Sequence, residues 1–320
     1  MMNAAQVRLN QNPILTSLLL GMGQGMFIAE QLFPRLPQAL SAVTLAKMGS
    51  ERFKRYNLRR APGAPTKRVE IKYEGKTYTV DQYAVEVPIA RELVREADES
   101  RRLNVGNYLD ISRIAMVTAN DVLALDYELD IAALATTPAT YASGHTAALS
   151  AGNKWSATTG TPVTDIRAAS DIIRKKIGKR PNKLMLSADA AQALITNTEV
   201  RGYLPNTQMG PATMDQLKLI LNVKEIYMGD AVWMDATDVG QDVWGNNAIL
   251  AYSPMMNGSN GGDISMAEPS FGFTNVIDGH PFAETPYYEN GLKSWVYGAT
   301  FERRANVAYD TAAFLFQNPK

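Results

Sequence analysis

Apolar residues recur at helical spacing through the proline-free stretch Asn104–Thr136 (NVGNYLDISRIAMVTANDVLALDYELDIAALAT). Val105, Tyr108, Leu109, Ala115, Met116, Ala119, Val122, Leu123 and Leu129 fall on the pattern, with polar groups between them. Asn104 is placed to cap the start, and Pro138 follows the end. At 1.5 Å per residue the pattern predicts one rod of roughly 45–50 Å. That is uncommon for an ordinary α+β enzyme, and it suits a shell subunit that must span its own width.

The flanking pattern is different on the two sides. Before the rod, residues 1–43 carry apolar patches (Ile14–Leu20, Met26–Ile28, Leu36) broken by glycines and by Pro34 and Pro37. Such a segment closes no core alone, so it reads as an extended arm. Rough period-two alternation over residues 47–87 predicts a two-stranded ribbon, ERFKRYNL out and KTYTVDQYAVEV back, turning at RRAPGAPTKR. After the rod, Val163–Ile177 reads as an amphipathic helix ended by Gly178, Lys183–Ser187 and Glu225–Gly229 as short strands, and Ala188–Asn197 as a helix. Ala248–Ser253 and Val307–Phe316 are further apolar runs. FGFTNVI and WVYGATFERRANV predict a second hairpin with a turn signal at Asn290–Gly291. Phe282, Tyr287 and Tyr288 near its tip suggest either a contact surface or packing within the same subunit.

Charge narrows the function classes. Lys+Arg and Asp+Glu balance at 32 each, which argues against a wholesale nucleic-acid binder. The ribbon is locally basic, with Arg52, Lys54, Arg55, Arg59, Arg60, Lys67 and Arg68, and Glu92, Glu96 and Asp98 follow soon after. A solvated hairpin and a β-ribbon in a nucleic-acid groove are both open readings. Head-to-tail contact between copies, with complementary charge setting register, fits better.

Candidate chemistry is sparse. The chain has no cysteine, so disulfides, thiolate metal sites and a cysteine nucleophile are excluded. His145 and His280 lie far apart in loop-like segments and match no metal-binding spacing. Gly21, Gly23 and Gly25 lack the dinucleotide fingerprint, and no P-loop or nucleophile elbow is present. Asp126, Glu128 and Asp130 cluster on the rod. Positions four apart share a face while the middle one turns away, which predicts a polar stripe or an interchain salt bridge rather than a catalytic pair. Neither an enzyme nor a cofactor is indicated. No apolar run approaches the roughly 20 residues of a membrane span, and Ile14–Leu20 reads as part of an ordered arm rather than a secretion signal.

The succession of motifs resembles a known family. The arm, the RRAPGA-tipped ribbon and the long helix LDISRIAMVTANDVLALDYELDIAAL are followed by NKWSATTGTPVTDI, KRPNKLMLSADAAQAL, VRGYL, LKLILNVKEIYMGDA, VWGNNAILAYSP, EPSFGFT and VAYDTAAFLFQN. In this order they resemble the major capsid protein of tailed bacteriophages, the α+β Hong Kong 97-type fold that encapsulin shells also use. The resemblance implies an N-terminal arm (1–43), an extended loop (44–88), a peripheral domain (89–159) with a spine helix (104–136), an axial domain (160–265), a peripheral hairpin (266–306) and a C-terminal strand (307–320). It implies pentamers and hexamers built into an icosahedral virion shell, assembled in the host bacterial cytoplasm. Partners would be a separate scaffolding protein, a portal, possible decoration proteins and packaged double-stranded DNA, with no membrane and no cofactor. Lys67, Arg68 and the other ribbon cations would meet Glu92, Glu96 and Asp98 of neighbours. Arg8, Arg101 and Arg102 are candidate DNA contacts. An encapsulin-type compartment and a β-ribbon DNA-binding module are the alternatives.

Overall fold

The computed structural model describes residues 27–48, 54–62, 66, 68, 73–103, 110–204, 210–254 and 269–320, with backbone alone at 43–48, 73–76 and 101. Two sheets joined by one helix organise these residues. The first has six strands built on β14 (Ser294–Val307), a 14-residue strand. One edge of β14 pairs along its length with β4 (Asp81–Ala90). The other is shared by β11 (Gly272–Ile277), β12 (Phe282–Ala283) and β13 (Tyr287–Glu289), and β1 (Arg35–Gln38) adds in parallel to β11.

Helix α3 (Ile111–Thr136, 26 residues) packs across β4 and β14. Ala115, Met116, Ala119, Leu123, Tyr127, Ile131, Ala132 and Ala135 form its buried stripe. The rod is shorter than the 104–136 pattern predicts, because the Asp110 carboxylate accepts the Arg113 N–H and starts the helix at Ile111. At 1.5 Å per residue it is about 39 Å long. Residues 104–109 lie outside the described residues.

The ribbon also differs from its sequence pattern. Its pairing strands are β2 (Ala42–Met48) and β3 (Tyr73–Thr79). Residues 54–58, the described part of the expected outgoing strand, form no strand. The expected return strand is divided at Val80, and its second half is β4 of the main sheet. Alternation explains the capture: Tyr83, Val85, Val87 and Ile89 share one face and pack on the core. Glu92, Glu96 and Asp98 lie on α2 (Arg91–Arg102), a helix that the sequence reading did not predict. Its mostly charged surface gave no apolar stripe to find.

The second sheet has the order β5-β15-β10-β6-β7: β5 (Thr146–Ala148), β15 (Ala313–Gln317), β10 (Asn247–Ala251), β6 (Lys183–Ser187) and β7 (Glu225–Gly229). Here the sequence pattern holds. The helix predicted at 163–177 is α4 (Pro162–Ile177), closed by Gly178 at φ +73°, and Ser187 caps α5 (Ala188–Thr196). Then come α6 (Thr198–Gly202), α7 (Met214–Leu221) and a small hairpin of β8 (Val232–Met234) and β9 (Gly240–Asp242). The apolar run 307–316 is divided between the end of β14 and β15.

Candidate assembly surface and arm anchor

The N-terminal segment joins this framework at a short helix, α1 (Ala29–Leu32), whose Ala29 and Leu32 are fully buried, as is Phe33 beyond it, and Leu36 is largely so. Its attachment is polar at both ends. The buried Glu128 carboxylate of α3 accepts the N–H groups of Ile28 and Ala29, each at 2.9 Å, and the Trp244 indole N–H at 2.7 Å. Burial pushes the Glu128 carboxyl above its ordinary value, and those three donors oppose the shift. At the other end, the buried Lys183 ammonium donates to the Gln31 carbonyl at 2.6 Å. Burial lowers the Lys183 pKa, against the pull of Glu225. One carboxylate thus ties the arm, the long helix and the turn before β10 together.

The other two carboxylates of the cluster face the opposite way, as helical geometry requires. Asp126 Oδ2 and Asp130 Oδ2 lie 2.6 and 2.8 Å from the Arg303 guanidinium of β14. Of the two expectations, a polar stripe and an interchain bridge, the half-exposed aspartates fit the first, and their bridge lies within the chain: the alternation of β14 turns Arg303 inward, where it is 1% exposed. It stacks 4.0 Å over the Tyr83 ring and 4.9 Å over Tyr127. The two histidines are also structural. His145 donates its Nδ1–H to the Ala313 carbonyl at 3.0 Å, and His280 Nδ1 accepts the Glu302 N–H at 3.1 Å.

Among the ribbon cations, Lys54, Arg55, Arg59, Arg60 and Arg68 are exposed, together with Tyr56 and Leu58, the latter 70% exposed. Arg52 and Lys67 lie outside the described residues. On α2, Glu92, Glu96 and Asp98 are exposed, and Glu92 bonds Arg91 at 2.9 Å. Glu99 holds Arg102. In the second hairpin Phe282 is buried in its own chain, edge-on to His280, so it offers no contact surface. Tyr288 is half-buried and packs edge-on to Trp295, while Tyr287 is 45% exposed and donates to Glu86 at 3.2 Å. Among the described residues no group of acidic and histidine side chains could hold a metal, and no helix is long and apolar enough to cross a membrane.

The architecture is that of a shell subunit. Its fold matches the capsid protein of cyanophage P-SCSP1u (TM-score 0.57, 12% identity, 92% of this chain and 89% of that one). It matches the holo-SrpI encapsulin of Synechococcus elongatus similarly (TM-score 0.54, 12% identity, 99% and 95%). A crystal structure of a phage-related protein from Bordetella bronchiseptica is more similar, with TM-score 0.76, 34% identity and 97% of each chain covered. The family model "Phage major capsid protein E" matches residues 141–261. The major capsid protein of Burkholderia phage BcepMu is 32% identical over 283 residues, 88% of each chain. The chain belongs to the major capsid proteins of tailed phages: it is a structural, non-enzymatic component of the virion that assembles with itself into the shell.

Proposed function

We propose that the chain builds pentamers and hexamers through an axial domain formed by the five-stranded sheet and its helices, and that the ribbon and arm lace these capsomers together. In this reading residues 89–159 and 266–306 form the peripheral domain, and 307–320 return to the axial one. One observation carries the reading. Residues 54–62 are exposed along their whole length and display Tyr56, Leu58 and several cations. An exposed excursion of that kind is marginal unless another body covers it. Glu92, Glu96 and Asp98 of a neighbour's α2 are the matching anions, and Tyr287 is the contact residue left at the hairpin tip. Each exposed pair is worth only ~0.2–1 kcal/mol, so the effect depends on repetition around the shell.

The same reading has a separate scaffolding protein, a portal and possible decoration proteins as partners, with double-stranded DNA held non-specifically on the inner face. Reversing Arg59 and Arg60 to glutamate tests it: the variant folds but fails to close shells, as read by sedimentation and negative-stain microscopy. Normal shells from that variant would refute the ribbon's role. Native particles carrying nucleic acid rather than cargo protein separate a phage shell from an encapsulin-type compartment.

A further inference from the structure

Two exposed charge clusters of opposite sign lie at opposite ends of the five-stranded sheet. The first closes α4, where the run 174–180 reads RKKIGKR. Asp171 bonds both Arg174 (3.2 Å) and Arg180 (3.3 Å), and Lys179 donates to the Tyr252 hydroxyl at 3.0 Å. Lys175 and Lys176 are exposed, with no ion-pair partner among the described residues. The second cluster is the β8–β9 hairpin. No lysine or arginine occurs from Glu225 to Ser253, and Asp230, Asp235, Asp238 and Asp242 all fall in or beside the hairpin. Asp235 organises the turn by accepting the Thr237 hydroxyl and the Val239 and Thr237 N–H groups, which together hold its carboxyl down at about 2. Between the aspartates Val232, Met234 and Val239 are 49, 66 and 51% exposed.

Topology keeps the two clusters apart within one subunit. β6 and β7 are parallel, pairing Lys183 with Glu225 and Ser187 with Gly229. The basic run enters β6 at its start, where Tyr252 fixes Lys179, and the hairpin leaves β7 at its end. The intervening strands are roughly 13–16 Å long at about 3.3 Å per residue. Neither cluster can neutralise the other without a second molecule.

We propose that the β8–β9 hairpin of one subunit docks on the Arg174–Arg180 end of α4 in the next copy. The contact rests on the shell-subunit reading and adds a specific joint to it. It joins two different patches, so repetition around an axis generates a closed ring. The aspartates of the hairpin meet the exposed Lys175 and Lys176, which sets direction and register, and Val232, Met234 and Val239 supply apolar surface at the centre of the contact.

The test is a charge swap in the full chain. One variant carries Lys175→Glu and Lys176→Glu, a second carries Asp238→Lys and Asp242→Lys, and a third carries all four changes. Each pair alone is expected to weaken association about tenfold or more, seen as loss of capsomers and particles by sedimentation velocity. Far-ultraviolet circular dichroism stays unchanged because all four positions are exposed, and the melting of the unassembled chain moves only by the small cost of a lysine at the left-handed Asp238 (φ +57°). The fourfold variant restores assembly. Either pair assembling as the parent does, or a fourfold variant no better than the pairs, overturns the contact. So does a Lys175/Lys176 variant that forms normal particles depleted in nucleic acid, which would place the patch against DNA. A parent chain that forms no particles would instead refute the shell reading itself.

Discussion

Replacing Glu128 separates the arm from the body of the subunit at a single carboxylate. Oε1 accepts two donors, Ile28 N–H and Trp244 Nε1–H, and Oε2 accepts the Ala29 N–H. In Glu128→Gln the amide oxygen can keep the first two, while its NH2 faces the Ala29 N–H. One bond to a charged acceptor is lost and one buried donor is stranded, for a net cost of about 2–3 kcal/mol. Glu128→Ala strands all three donors and leaves a void beside α1, for about 4–6 kcal/mol. At about 2–4 °C per kcal/mol for a chain of this size class, the glutamine variant melts roughly 5–10 °C below the parent. Thermal unfolding of the unassembled full chain measures this. Limited proteolysis reads release of the segment at residues 27–38. Trp244→Phe removes one donor, and its effect combined with Glu128→Gln is less than additive, because both touch the same oxygen. The sign with pH is also fixed. Burial raises the folded-state value of Glu128 above the ordinary 4.5, so its contribution is full below that value and is lost as pH rises through the raised one. The glutamine variant lacks that slope. A loss under about 1 kcal/mol in Glu128→Ala, with unchanged proteolysis of the arm, would refute the anchor.

Three further outcomes follow from the packing. Arg303→Met leaves Asp126 and Asp130 without their cation. They are 48 and 42% exposed and can rehydrate, so the loss is about 3 kcal/mol, at the lower end for a broken buried pair, read by urea unfolding. His280 has its pKa lowered, chiefly by burial, with Glu302 opposing. Its neutral form stabilises the second hairpin above the ordinary 6.5, and that share is lost as pH falls through the lowered value. His280→Asn flattens this acid limb of the urea midpoint. Gly272→Ala would put a Cβ 2.1 Å from Phe33 Cε1 and 2.8 Å from the Asn306 carbonyl. It displaces the arm for about 2–3 kcal/mol, and hydrogen exchange at residues 35–38 rises with it.

Local regularity decided how much the sequence alone determined. Helix α4 with Gly178, the strands at 183–187 and 225–229, helix α5 and the hairpin on β14 were legible because each carries its own local pattern. The divergence of Glu128 from Asp126 and Asp130 was legible too, since it follows from 3.6 residues per turn. What each carboxylate meets was not. Glu128 bonds residues about 100 positions away in the arm and 116 away at Trp244, and Asp126 and Asp130 meet Arg303 of β14. Periodicity holds no information about such distant partners. The division of the ribbon's return strand at Val80 has the same cause. Period two says that Lys76–Val87 is extended, but which neighbour it pairs with is decided by the partly buried face of Tyr83, Val85, Val87 and Ile89 against the core. Only the tertiary structure could make that choice, because the free energy that decides it comes from surface the chain buries after folding.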